Sequence, residues 1–219
     1  MKNLIVWGSS GHAKVLHELF NSTEYNIVVF VDNNPNAKSA ITNIPLVIGI
    51  QGLLDWLVSN NKTAEPLYGI VAIGGERGED RLKIQNQLTD LGITIINAIH
   101  NSCYIATDAL IGEGSQILAG AVIASSVIIG CGVIVNTSAS IDHECILNDG
   151  VHVGPGATLS GCIEVGNHSF IGAGAVVLPR IKIGKNSIIG AGAVVTKNVG
   201  DNSTVVGNPA KQYFIKGKK

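Results

Sequence analysis

Little in this chain is charged or aromatic: Asp, Glu, Lys and Arg make up 14% of the 219 residues, and Phe, Trp and Tyr only 5%. The 15 basic and 16 acidic residues nearly cancel, leaving a net charge of -1. No basic field is therefore available to neutralise nucleic-acid phosphates or an anionic membrane surface. The lysines near the end, Lys216, Lys218 and Lys219, read as a solvated tail. Long apolar runs are missing too, since none approaches the roughly 20 residues of a bilayer-spanning helix. The opening MKNLIVWGSSGHAKV breaks its apolar stretch at Gly8 and carries no small-residue cleavage pattern. A cytoplasmic protein with neither a nucleic-acid nor a membrane partner is the expectation. Cys103, Cys131, Cys145 and Cys162 lack the CxxC spacing of a metal or redox motif and read as reduced, small packing residues.

What is present is apolar residues, 46% of the chain, in two different periods. Residues 1–100 alternate short apolar runs with helical patterns. Strands are expected at Leu4–Trp7, Ile27–Val31, Leu46–Ile48, Gly69–Ile73 and Thr94–Ile96. Helices are expected at Ala13–Phe20, with Val15, Leu16 and Leu19 on one face, at Leu53–Val58, and at Arg81–Leu91, which carries Leu82, Ile84, Leu88 and Leu91 at roughly helical spacing. This alternation predicts a small Rossmann-like α/β domain with a parallel sheet.

From Ile105 to Val195 every sixth residue is aliphatic, sixteen positions in succession. Neither a helical period of about 3.6 nor a strand period of about 2 yields such a run, whereas hexapeptide repeats mark a parallel β-helix, here assigned as left-handed. Each hexapeptide forms one flat side of a triangular coil and points its aliphatic residue inward. Gly112, Gly130, Gly154, Gly166, Gly172, Gly184 and Gly190 each follow an aliphatic position, where a tight corner favours glycine. Three sides make a coil of 18 residues, so residues 18 apart stack. The second domain is thus expected over residues 101–219.

Stacking sorts the candidate residues. His143 lies in the column Ser125, His143, Gly161, Pro179, with a side-chain-free residue directly above it. Imidazole can accept a proton near neutral pH, and the Gly161 amide can donate to an oxyanion. A solvated histidine on an outer face is the plain alternative. Glu144 either orients that imidazole or is a surface carboxylate, since strand alternation would point it the other way. Asn136 begins the column Asn136, Gly154, Gly172, Gly190, whose glycines either leave amides open to an extended ligand or only turn corners.

In the first domain, GSSGHA at the first strand-to-helix turn and Asp32 after the second strand invite a dinucleotide reading. The glycine fingerprint is broken, however, at Ser10 and Ala13. What remains is a turn whose amides can face a nucleotide near a helix N-terminus. His17 and His168 read as structural or surface residues, and His100 lies at the domain junction.

The hexapeptide array, the opening GSSGHAKV, the segment NTSASIDHECILNDGVHVG and the ending VVGNPAK together resemble the NeuD-type sugar acetyltransferases. The nearest group is the one that N-acetylates nucleotide-linked 4-amino-4,6-dideoxy sugars. The resemblance covers essentially the whole chain and implies a homotrimer using acetyl-CoA as co-substrate, without a metal, in surface-glycan synthesis such as that of lipopolysaccharide. It implies His143 as general base, with Glu144 and Asn136 near the reacting centre. It further implies that His152, Gly161, Gly172, Gly190, Pro209 and Lys211 line the coenzyme site, Lys211 near a phosphate. Gly8, Ser10, His12 and Asp32 would contact the nucleotide sugar, His12 being otherwise a solvent-touching residue at a helix start. An O-acetyltransferase acting on a sialic or related sugar would share the fold and the base. A γ-carbonic-anhydrase-like hydratase needs three converging histidines, which the spacings of nine and sixteen between His143, His152 and His168 do not favour. A non-catalytic scaffold is a further alternative, and the broken fingerprint argues against a nicotinamide-dependent oxidoreductase.

Overall fold

A computed structural model describes residues 1–60 and 66–213; the lysines of the expected tail lie outside the described residues. The chain divides into two compact units, one of residues 1–73 and 80–98 and the other of residues 74–79 and 99–219.

The first unit is a five-stranded parallel sheet built from β1 (Lys2–Trp7), β2 (Tyr25–Asp32), β3 (Leu46–Ile48), β4 (Leu67–Val71) and β5 (Thr94–Ile95), in the order β3-β2-β1-β4-β5. Helices α1 (Gly11–Phe20), α2 (Gly49–Ser59) and α3 (Gly78–Asp90) connect the strands. The order reverses direction at β1, and ligand crevices of such sheets form outside the strand C-termini at that point. Helix α1 buries Ala13, Leu16, Leu19 and Phe20, while the expected inward Val15 is 44% exposed. A second correction concerns α3: Leu91 is exposed beyond the helix end, Leu82 is half-buried, and Arg81 is fully buried in their place. Arg81 Nη1 donates to the Ile73 carbonyl at 2.7 Å, and burial draws the guanidinium pKa down to about 10. A hydrophobicity pattern cannot anticipate a buried arginine whose guanidinium donates to a backbone carbonyl.

The second unit is a left-handed parallel β-helix of two-residue strands stacked 18 apart on three faces as far as Val195, after which Thr204–Val206 stacks 16 residues beyond Ile188–Ile189 and Lys211–Gln212 pairs antiparallel with it. One face runs through Tyr104–Ile105, Val122–Ile123 and Ser140–Ile141 to Val194–Val195, with six strands. The second runs from Leu110–Ile111 to Lys182–Ile183, and the third from Ala98–Ile99 through His152–Val153 to Lys211–Gln212. The repeating aliphatic residues point into the prism: from Ile117 to Val195 each is at most 3% exposed, and Ile105 and Ile111 pack partly buried against them. A second inward position, four residues after each aliphatic, holds Ala121, Val127, Val133, Ala139, Cys145, Val151, Ala157 and Ile163. Ser115, Ser169 and Ser187 also occupy it and bond their hydroxyls to the carbonyls of Gly130, Gly184 and Gly200, so the buried polar atoms are paired.

The corners differ from expectation. Left-handed backbone falls three residues after each aliphatic from Ile111 to Ile189, at Ser126, Ser138, Glu144, Cys162, His168 and Arg180 among others, and not at the glycines that follow it directly. Those glycines are needed for close stacking: a Cβ on Gly172 would lie 2.5 Å from the Ala191 backbone nitrogen of the next coil. No helix among the described residues is long and apolar enough to cross a membrane.

Candidate active site

His143 stands on a corner of the β-helix with its side chain 54% exposed. Its Nδ1 lies 3.1 Å from Glu144 Oε2. An ionised carboxylate can only accept a hydrogen bond, so Nδ1 carries a proton, and in the neutral imidazole Nε2 is then the nitrogen with the lone pair. Glu144 reaches the ring because its φ of 57° turns it out of strand alternation, which corrects the expectation that it points the opposite way. Hydrogen bonds from His143 and then from Cys162 hold the Glu144 carboxyl below its ordinary pKa. The Cys162 thiol donates to the same oxygen at 3.4 Å, and desolvation, followed by that carboxylate, raises the thiol's pKa. Cys162 is therefore a corner residue, unlike Cys145, which is buried in the prism as a packing residue.

Gly161 lies against the imidazole as the 18-residue stack requires. A Cβ there would be 2.5 Å from His143 Nε2 and 2.6 Å from Cε1. The Gly161 N–H donates to no acceptor among the described residues, while its carbonyl accepts from Arg180 N at 3.0 Å. A ring tautomer fixed from behind, on a residue whose neighbour in the stack keeps an uncommitted backbone N–H, offers the two kinds of group that acyl transfer needs.

Asn136 and His152 meet in a second cluster, with Asn136 Nδ2 3.2 Å from His152 Nε2 and the Asn136 Oδ1 accepting from Thr137 N at 2.8 Å. His152 is only 5% exposed. Its Nδ1 accepts from the Gly75 N–H at 2.7 Å, and its ring meets Phe170 edge-on at 5.2 Å. It is thus a buried, internally bonded histidine rather than a side chain open along an outer face. The open-amide idea for the glycine column also fails. Gly154, Gly172 and Gly190 donate to the carbonyls of Ile171, Ile189 and Val205 in the coil ladder. Pro209 and Lys211 lie in the final segment, where Lys211 is exposed and pairs antiparallel with Val206. His143, His152 and His168 form no common cluster of metal-ligating groups among the described residues.

In the first unit, Gly8 has a φ of 114°, and a Cβ on it would lie 2.5 Å from the Ala72 carbonyl, so only glycine lets the ends of β1 and β4 approach. Asp32 Oδ2 accepts from both the N–H and the hydroxyl of Ser9, at 3.1 and 2.9 Å, and Oδ1 accepts from Asn34 N at 3.0 Å. Asp32 therefore holds the turn in shape. Ser10 occupies the N-cap position of α1 without a side-chain cap bond, and His12 lies in the first turn.

A family model described as the PglD N-terminal domain matches residues 3–88, and one for the bacterial transferase hexapeptide matches residues 163–197. PerB from Caulobacter crescentus, solved in complex with CoA and GDP-perosamine, is 32% identical over 98% of either chain, with a TM-score of 0.87. A mutant of perosamine N-acetyltransferase from that organism, with histidine replaced by asparagine and the same two ligands bound, is 31% identical over 98% of either chain, with a TM-score of 0.88. The acetyltransferase domain of PglB from Neisseria gonorrhoeae FA1090, in complex with acetyl coenzyme A, is 32% identical over 97% of this chain and 99% of its own, with a TM-score of 0.83. The chain belongs to the hexapeptide-repeat sugar N-acetyltransferases. No curated protein sequence matches it.

Three residues of this sugar acetyltransferase escaped the sequence reading. Cys162 stands 18 residues after Glu144, so the stacking rule alone was enough to place it above that carboxylate. Ser9 lies within the GSSG turn beside the residues singled out there. Gly75 reaches His152 across 77 residues, and nothing local in the sequence signals that bond.

Proposed function

We propose that this acetyltransferase moves the acetyl group of acetyl-CoA to the 4-amino group of a nucleotide-linked 4-amino-4,6-dideoxy sugar, with His143 as general base. The observation that carries this reading is the Glu144–His143–Gly161 arrangement, in which Glu144 holds Nδ1 and Nε2 lies against a residue with no side chain. The amine nitrogen attacks the thioester carbonyl, and Nε2 takes the proton that the nitrogen sheds. The Gly161 N–H donates to the oxygen of the tetrahedral intermediate. As the carbon–sulfur bond breaks, the imidazolium returns the proton to the departing thiolate. Asn136, half-buried and in contact with His152, acts near the reacting centre through the order it imposes there.

The coenzyme reading of His152, Gly161, Gly172, Gly190, Pro209 and Lys211 is supported by the family and by CoA in the PerB complex. Within the first domain, residues 1–100, Gly8, Ser10, His12 and Asp32 serve the nucleotide sugar. Their support is the position of the turn at the C-terminal edge of the sheet, where the strand order reverses. The β-helix domain, residues 101–219, carries the transfer. A homotrimer is supported by an outer column of Leu110, Ile128 and Ile146, which are 63%, 44% and 38% exposed. Free cysteines support a reducing, cytoplasmic compartment. Surface-glycan synthesis, including that of lipopolysaccharide, is the process such a product serves.

Release of free thiol from acetyl-CoA, measured against 4-amino sugars linked to uridine, thymidine or guanosine diphosphate, tests the reading. Amine-dependent release with at least one member is expected. Release that stays at the rate without acceptor across the whole panel would remove the proposed substrate class.

A further inference from the structure

Three side chains of metal-ligating type converge at the His143 corner, with the Glu144 carboxylate bridging the other two. His143 Nδ1 and Glu144 Oε2 are 3.1 Å apart, Cys162 Sγ and Glu144 Oε2 are 3.4 Å apart, and one ligand atom from each of the three residues lies within 4.8 Å of the others. Zinc binds nitrogen and oxygen at about 2.0–2.1 Å and sulfur at about 2.3 Å, so a tetrahedral ion sets nitrogen–oxygen and oxygen–sulfur edges of about 3.3 and 3.5 Å. The two hydrogen bonds already hold the nitrogen–oxygen and oxygen–sulfur pairs at nearly those separations, and closing the third edge from within 4.8 Å needs only rotation of the exposed His143 and Glu144 side chains. His143 and Glu144 are exposed enough for an ion to enter, with side chains 54% and 64% accessible. Among the described residues this is the single such cluster.

We infer that His143, Glu144 and Cys162 form an inhibitory site for a thiophilic divalent cation such as zinc, with water completing its shell. The site itself stands on the geometry, and its inhibitory effect rests on the reading of His143 as base. Binding replaces the two bridging protons. The Nδ1 lone pair must face the ion, so the ring proton moves from Nδ1 to Nε2, and the Cys162 thiol gives up its proton, one released per ion bound. The tautomer change is what stops catalysis, because a protonated Nε2 cannot take a proton from the amine. Thiolate ligation selects zinc over the oxygen-seeking magnesium and calcium.

The binding measurements use the full chain without coenzyme, since the CoA thiol would compete for the ion, and the rate measurements use initial rates, before free CoA accumulates. Titration with zinc, and with cobalt(II) as a spectroscopic stand-in, is expected to show about one ion per chain, release of one proton, and a thiolate-to-cobalt absorption band. In Cys162→Ser the band should vanish and affinity should fall by more than about tenfold, since the loss of even an outer-shell partner weakens metal sites by 10- to 100-fold. In the wild type, zinc should suppress acetyl transfer and a chelator should restore it, while magnesium leaves the rate unchanged. In Cys162→Ser the same zinc concentration should lower the rate, relative to its own metal-free rate, far less. Equal zinc affinity in wild type and Cys162→Ser, or no binding, overturns the site. Full activity with the cobalt band saturated overturns the inhibition. If no acceptor supports transfer, the functional reading fails while the band and the proton count still decide the site.

Discussion

His143→Ala is expected to lower kcat by about 10²- to 10⁴-fold, the usual worth of general base catalysis, with little change in KM for acetyl-CoA. The variant should fold, because the side chain stands outside the prism and its removal leaves every inward aliphatic contact in place. His143→Asn should behave alike, since an amide keeps a polar group there but has no basic nitrogen. Steady-state kinetics with both substrates varied separates the outcomes. A kcat within a few-fold of wild type at neutral pH would mean that the amine loses its proton to water or to another group. His143 would then be a surface residue held by Glu144.

Gly161→Ala should be nearly as damaging for a different reason. The added methyl would sit 2.5 Å from His143 Nε2, closer than nonbonded atoms come, so the half-exposed ring must swing away. Displacement of a reacting group by about 1 Å can lower the rate by about 10²-fold. Stability should barely change, because the ring has solvent to move into. Gly172→Ala supplies the contrast: its methyl would meet the Ala191 backbone nitrogen at 2.5 Å, and backbone cannot swing aside. That variant should lose about 1–3 kcal/mol by overpacking. The check is kcat beside the denaturation midpoint. A Gly161→Ala enzyme with normal kcat would show that the imidazole does not work from the position it occupies over that residue.

The β-helix was legible in the sequence because its determinant is strictly local and repeats. One inward aliphatic every six residues fixes the face, and 18 fixes the stack, so Gly161 could be placed over His143 before any coordinates. The same arithmetic places Cys162 over Glu144, a step that reading all four cysteines as packing residues passes over. The misreadings came from carrying strand rules into corners. Alternation sent Glu144 the wrong way because its backbone is left-handed there. Corner glycines looked like turn residues or amide donors, whereas the ladder consumes their N–H groups and the coil spacing excludes a Cβ. In the first domain the strands and helices followed their apolar runs, but Arg81 replaced an expected leucine in the interior because a carbonyl was there to receive it. The burial of His152 depends on Gly75, a long-range contact that no period encodes.

The most direct measurement is the chemical nature of the product. Purified enzyme, acetyl-CoA and a nucleotide-linked 4-amino-4,6-dideoxy sugar should give one released thiol per acetylated sugar nucleotide, and the acetyl group should survive mild alkali, as an amide does. An acetyl group removed by mild alkali would be an ester on a hydroxyl, and N-acetylation of the 4-amino group would be wrong.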